Sequence, residues 1–184
     1  IARLIEGTIT SSEVTLSEAP HNETEVLCLA KNIYFEANTE PDAGKRAVGL
    51  VTLMRVLSGK YPKSICGVVY QRLQFSWTTD PAKRDVIPSN SRFKKITELA
   101  EELYPLRNDS IQLALKASEL GITPDTLFYK RHDWNEHDPA ETRMSEKNKE
   151  LWKRCMEPVL DAHGRQVRIG DHVFYRAKRN IVQR

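Results

Sequence analysis

Apolar and polar positions along the chain change register several times, and each change marks an element. From Glu23 the apolar residues Val26, Leu29, Ala30, Ile33 and Ala37 recur at helical spacing. Asn22 or Thr24 stands where a cap belongs, and Thr39-Glu40-Pro41 stops the helix near Asn38. A second helix starts at Pro41 or Asp42, with Thr39 and Asp42 placed as a capping pair. Its stripe of Ala43, Ala47, Leu50, Val51 and Met54 runs to about Leu57, and Gly59 follows. Gly44, Ala47 and Gly49 leave little bulk on parts of this helix, so neighbouring helices can approach closely.

Ser64 to Tyr70 is too short to assign as helix or strand. Gln74 to Pro88 carries aromatics without helical period and reads as a long loop or small sheet, where binding residues often sit. Helices are predicted from Ser91 to about Tyr104 and from Ser110 to Leu120, the latter closed by Gly121. Thr126 to Tyr129 and His172 to Tyr175 read as short aromatic strands able to pair, the second preceded by a turn at His163-Gly164. Between them an amphipathic helix is predicted from Ser145 to Met156, ended by Pro158. The fold class is α+β, helix-dominated with a small antiparallel sheet. Residues 1–22 read as an arm or tail, and 23–184 as a single domain.

Composition adds limits. The 184 residues are 40% hydrophobic and 29% charged, enough for a core and too apolar for a disordered chain. A net charge of +3 suits an anionic polymer without selecting one. Cys28 and Cys66 sit in the apolar runs LCLA and ICGVV, which suits buried free thiols and a reducing compartment; Cys155 is the third cysteine. No run approaches the roughly 20 apolar residues of a membrane span. The chain starts at Ile1 rather than Met, so a processed start stays open.

Glu36 is the residue whose position raises a chemical question. It lies three residues after Ile33 and seven after Leu29, on or beside the apolar stripe. Desolvation there keeps a carboxyl group protonated toward neutral pH, which is what cleavage of a glycosidic bond asks of its acid. Tyr34 and Phe35 flank it. Periodicity alone leaves a surface residue at a helix end as the alternative. Glu40 is a possible auxiliary carboxylate or a turn residue, and Asp80 and Asp85 are further candidates.

Gln74, Phe75, Ser76 and Trp77 offer an amide, a hydroxyl and aromatic faces suited to sugar rings, with a core Trp as the alternative. Tyr70, Tyr129 and Tyr175 read as core aromatics, any of which can approach Glu36. His132, Asp133, His137 and Asp138 surround Trp134 without a recognisable metal-ligand spacing. Cys66 with His172 is a candidate thiol nucleophile and base. Arg143, Lys147, Lys149, Lys153 and Arg154 interleave with Glu141, Glu146 and Glu150 as a solvated helix face.

Taken in order, IYFEA, EPDAG, ICGVVYQ, QFSWT and IGDHVFYR resemble the SleB-type cell wall hydrolases, a family of spore-cortex lytic enzymes and bacteriophage endolysins. These segments span about residues 25 to 176. The resemblance implies a lysozyme-like fold of the lytic transglycosylase and resuscitation-promoting-factor kind. It also implies cleavage of peptidoglycan between N-acetylmuramic acid and N-acetylglucosamine. The family's acid/base glutamate falls on Glu36. Tyr34, Gln74, Phe75, Ser76, Trp77, Tyr129, His172 and Tyr175 are the expected substrate-binding residues.

Two positions depart from the family pattern. Met54-Arg55 stands where Asn-Arg is expected, and Thr126-Leu127-Phe128-Tyr129 lacks a histidine often found there. The implied protein is a monomer acting on the bacterial wall without cofactor, metal, nucleic acid or membrane span. A phage endolysin, made in host cytoplasm and released to the wall, is the implied setting. Hydrolysis by the same glutamate, a Cys/His amidase and a non-catalytic wall-binding module remain the alternatives.

Overall fold

The computed structural model describes residues 22–131 and 146–178. The polar arm up to His21, the cluster around Trp134, and Glu141 and Arg143 lie outside the described residues. The elements are α1 (Glu23–Ala37), α2 (Asp42–Leu57), α3 (Ile65–Val69), α4 (Pro81–Arg84), α5 (Ser91–Leu103), α6 (Ser110–Glu119), β1 (Thr126–Arg131), α7 (Glu146–Cys155), β2 (Met156–Pro158), β3 (Arg168–Ile169) and β4 (His172–Ala177).

Helix α1 is the centre of the molecule. Its predicted stripe is buried, and so are Cys28, Lys31 and Asn32, because α2, α3 and α5 all pack on it. Asn22 caps it through bonds from the Thr24 and Glu25 amides. Helix α2 starts at Asp42, one of the two expected positions, but its cap differs from the expected one. Pro41 is its N-cap and makes no side-chain cap bond, so the Thr39–Asp42 pair is not used. The expected close approach is realised at Gly49. A Cβ there would stand 2.6 Å from Leu103 Cδ1 and 3.2 Å from Ile33 Cδ1, so α1 and α5 both close on this position.

The undecided 64–70 segment is helix α3, capped by Ser64. Glu25 accepts the Ile65 amide at 2.5 Å and the Cys66 amide at 3.4 Å. Beside this, Cys28 and Cys66 form a disulfide. The expectation of buried free thiols is therefore corrected. Two apolar cysteine runs look like core in one dimension, but packing α3 on α1 brings their Cα atoms to 5.2 Å, within bridging range.

The 74–88 stretch is neither long loop nor sheet. Ser76–Thr79 forms a 3-10 turn and α4 follows, with Asp80 accepting the Ala82 amide as its cap. Just before it, Leu73 is 79% exposed at φ 65°, a left-handed conformation uncommon for a leucine.

The sheet has four strands in the order β1-β4-β2, with β3 also on β4. The two aromatic strands do pair, antiparallel, with Tyr129 opposite Phe174 and Arg131 opposite His172. A register shift between Thr126 and Phe128 leaves Leu127 as a bulge residue. The predicted Gly164 turn exists, but the turn that delivers β4 is Gly170-Asp171. Glu40 accepts the Asp171 amide at 2.8 Å, which ties the α1–α2 corner to this hairpin. Gly170 sits at φ 59°, and a Cβ there would stand 1.8 Å from Glu40 Oε2.

Two stability predictions follow from these ties. Closing the 38-residue separation between Cys28 and Cys66 contributes about 4 kcal/mol in the chain-entropy picture. The double variant Cys28→Ser/Cys66→Ser should therefore lose about 2–4 kcal/mol in urea unfolding. An unchanged urea midpoint would show that the bridge contributes nothing. Gly170→Ala should cost about 2 kcal/mol or more, from left-handed backbone strain plus the displaced Glu40 carboxylate. Glu40→Ala in the Gly170→Ala background should then cost less than Glu40→Ala alone.

Candidate active site

Glu36 lies in the last turn of α1 and is partly buried where that helix meets β1. Burial raises its carboxyl from 4.5 to about 7; the Tyr129 hydrogen bond and the more distant charge of Arg55 pull the other way without cancelling it. The Tyr129 hydroxyl donates to Glu36 Oε2 across 3.4 Å. Burial also holds the Tyr129 hydroxyl well above its ordinary range, so it stays protonated and able to donate. A neutral acid beside a permanent donor can deliver a proton near neutral pH and can hold the resulting charge.

Behind this pair lies a set of buried polar groups. Trp77 Nε1 donates to Asn32 Oδ1 at 3.2 Å, Asn32 Nδ2 donates to Thr52 Oγ1 at 3.1 Å, and the Thr52 hydroxyl donates to the Val48 carbonyl at 2.9 Å. Arg55 is buried on α2 and donates through Nε to the Leu127 carbonyl at 2.9 Å. Its guanidinium lies 5.1 Å from the Phe75 ring, 5.3 Å from Tyr61 and 5.9 Å from Phe128. Asn32, Thr52 and Arg55 were not singled out by sequence. The available signal was Asn32's position, four residues before Glu36 and so on the same helix face.

The expected binding residues divide into groups. Tyr129 is at Glu36, and His172, buried on β4, sets its ring edge-on to Tyr129 at 5.1 Å. Tyr34 faces α5, its hydroxyl accepting from Asn90 Nδ2 at 2.8 Å. Phe75 and Trp77 are buried, Trp77 stacked on Phe35 at 4.7 Å with its N–H spent on Asn32. They form wall rather than exposed floor. Ser76 is exposed and Gln74 partly so. Tyr175 packs on Trp152 and under Lys130, on the sheet face shared with Phe128 and away from Tyr129.

None of the other candidate carboxylates is held at Glu36. Glu40 is bonded to the Asp171 amide, Asp80 caps α4, and Asp85 pairs with Arg84 at 2.8 Å. Cys66, weighed as a nucleophile with His172, has its sulfur in the bridge to Cys28, so no thiolate is available there. Among the described residues no group of three or more His, Cys, Asp or Glu side chains is placed to hold a metal ion. Lys153 pairs with Glu150 at 3.3 Å on an exposed stretch of α7, in keeping with a solvated face.

The family model for cell wall hydrolases matches residues 39–175, beginning three residues after Glu36. The chain belongs to the cell wall hydrolase family. A curated spore cortex-lytic enzyme from Halalkalibacterium halodurans is 32% identical over 62 residues, which are 34% of this chain and 19% of that protein. The chain thus matches only about a fifth of that relative's length. Among solved structures, the catalytic domain of the germination-specific lytic transglycosylase SleB from Bacillus anthracis is similar at a TM-score of 0.50. The two are 21% identical over 85% of this chain and 98% of that one. The catalytic domain of the Bacillus cereus SleB protein also gives 0.50, at 22% identity over 86% and 95%. At that identity the likeness is one of fold, and it agrees with the helix-dominated architecture and small antiparallel sheet. Among the described residues no helix is long and apolar enough to cross a membrane.

The raised carboxyl carries a stability signature. Between 4.5 and about 7 the folded chain keeps a proton on Glu36 that the unfolded chain has released. Stability therefore falls as pH rises through that window, by about 3 kcal/mol in all. Glu36→Gln removes this term, so its Tm should gain on wild type between pH 4.5 and pH 8. A Tm difference that stays constant over that range would contradict the assigned burial.

Proposed function

We propose that the chain cleaves the glycan strands of bacterial peptidoglycan between N-acetylmuramic acid and N-acetylglucosamine, as a lytic transglycosylase with Glu36 as its acid and base. The observation that carries this reading is a carboxyl group held protonated to about pH 7 by burial, beside the Tyr129 hydroxyl. Neutral Glu36 protonates the glycosidic oxygen as the C1–O bond breaks and oxocarbenium character develops. The resulting carboxylate, supported by Tyr129, takes the proton of the muramoyl 6-hydroxyl as that oxygen closes on C1. Glu36 ends protonated again, and the product carries a 1,6-anhydro end. Nothing in this route needs a second carboxylate, and Glu40, Asp80 and Asp85 are each engaged elsewhere. One structural neighbour is the catalytic domain of a germination-specific lytic transglycosylase, which supports the same choice.

Substrate would lie over Glu36, with the exposed Ser76 and the partly exposed Gln74 as polar groups beside the Phe35–Trp77 wall. The protein acts on the wall. The Cys28–Cys66 bridge favours an oxidising compartment, in place of the reducing one the sequence suggested. The phage-endolysin setting rests on family resemblance, and lysis of a host on induced expression is its direct assay.

Muropeptides released from purified peptidoglycan separate the chemistries. The expected products end in 1,6-anhydromuramic acid, one water lighter than the reducing ends of muramidase hydrolysis. Glu36→Gln should lower the release rate by about 10²–10⁴-fold. Wild-type rates should fall as pH rises past about 7, where the acid loses its proton. Full activity in Glu36→Gln would remove Glu36 from the mechanism. Binding to walls without any product would point to a wall-binding module.

A further inference from the structure

Two residues before Tyr129, strand β1 is irregular. Its register passes from Thr126 opposite Arg176 to Phe128 opposite Tyr175, and Leu127 is left without a residue across the sheet. A bulge of this kind interrupts the ladder and frees backbone groups for other partners. Arg55 meets one of them, its Nε donating from α2 to the Leu127 carbonyl at 2.9 Å. The side chain is buried, and its Nη1 has no hydrogen-bond partner among the described residues. The Leu127 carbonyl and the rings of Phe75, Tyr61 and Phe128 therefore hold this guanidinium in place. A buried cation costs far more than an apolar side chain of similar bulk, so its place at the bulge calls for a use.

That use lies in the distance from β1 to the helices. Tyr129 donates to Glu36 Oε2 across 3.4 Å, near the outer limit of such a bond, so a small retreat of β1 ends it. Strand β4 holds β1 from the side, with Phe174 opposite Tyr129 and His172 edge-on to its ring. This pairing sets where Tyr129 lies along the sheet, but not how closely the sheet approaches the helices. We propose that Arg55 is a positioning residue: by clamping the bulge carbonyl of Leu127 to α2, it holds Tyr129 within hydrogen-bonding reach of Glu36. The proposal rests on the Glu36 reading above and adds the tie that keeps its donor in place. The charge of Arg55 also favours the Glu36 carboxylate, behind the larger effects of burial and of the Tyr129 bond. His172 from β4 is the other titratable group facing the pair, and Tyr61 lies against Arg55 itself.

Two neutral variants separate the clamp from the charge. Arg55→Gln sets an amide nitrogen where Nε stood and still donates to Leu127, whereas Arg55→Met sets a methyl group there. Glu36 is followed by its carboxyl carbon in protein labelled with δ-¹³C glutamate and assigned with Glu36→Gln, so that His172 titration is not mistaken for it. The Glu36 midpoint should lie about half a unit or more higher in Arg55→Met than in Arg55→Gln, since losing the Tyr129 donation disfavours the carboxylate. Muropeptide release should be about tenfold slower in Arg55→Met than in Arg55→Gln. Both gaps should close in the Tyr129→Phe background, because the clamp acts through that hydroxyl. Equal midpoints in the two variants, or a gap that persists in Tyr129→Phe, overturns the proposal. If Arg55→Met does not fold, Arg55→Leu, equally neutral and without a donor, must show the same gap. In the unmodified protein the Arg55 Nε proton must exchange slowly with solvent, and free exchange overturns the clamp whatever the variants do. Activity surviving Glu36→Gln would overturn the functional reading and leave the titration gap standing. Loss of activity in Glu36→Gln with no gap between the Arg55 variants would overturn this proposal alone.

Discussion

Everything in the molecule depends on burying one helix from almost every side. A helix packed on one face can turn its polar residues to water. Helix α1 has α2, α3 and α5 against it, so Lys31, Asn32 and Glu36 must each be settled inside or at the rim. Lys31 reaches out to the Arg84 carbonyl at 2.5 Å. Asn32 is held by Trp77 and Thr52. Glu36 has no cation bonded to it among the described residues, only a tyrosine and the more distant attraction of Arg55, and it responds by keeping its proton. A buried charge costs far more than a buried neutral carboxyl group, so the packing that builds the core also keeps Glu36 protonated.

The two ends of α1 are fastened by different means. At the N-terminal end Glu25 caps α3 and the Cys28–Cys66 bridge locks the same contact. Beyond the C-terminal end Glu40 reaches the Asp171 amide and fixes the hairpin that begins β4. Strand β4 pairs with β1, and β1 carries Tyr129. Arg55 secures β1 a second time through the Leu127 carbonyl at the bulge. Glu40 thus has a use that explains its burial without any part in chemistry. It sets the relative position of the helix that bears the acid and the sheet that bears its donor.

Much of the architecture was legible along the chain. The stripe of Val26, Leu29, Ala30, Ile33 and Ala37, the Asn22 cap and the pairing of the two aromatic strands all appear where periodicity placed them. The stripe and the cap are local and follow from the helix repeat, and the strand pairing follows from two short aromatic runs of matching alternation. One local reading differed, and the remaining differences are non-local. The Thr39 cap lost to Pro41, whose extended backbone starts α2 without a side-chain bond. The Trp77 ring, suited by type to stack on a sugar, turned inward because its N–H meets Asn32 and its face meets Phe35. Tyr175 lies on the face of Phe128, away from Tyr129, because the Leu127 bulge sets which β1 residues share its face.

By itself the sequence determined that a carboxylate would sit at the edge of a buried helical stripe, and that the chain carries the motifs of wall-cleaving enzymes. Helical period and residue type suffice for that. Only the tertiary structure decided that Cys28 and Cys66 meet, that Glu40 serves the β3–β4 turn, and that Asn32 faces Thr52 and Trp77. Each joins residues far apart in the chain, and their distance is set by how helices and sheet pack, which one-dimensional spacing does not contain. The protonation of Glu36 lies between the two. Its place on the helix was readable, but its desolvation and its partner were not, because β1 arrives there from more than ninety residues away.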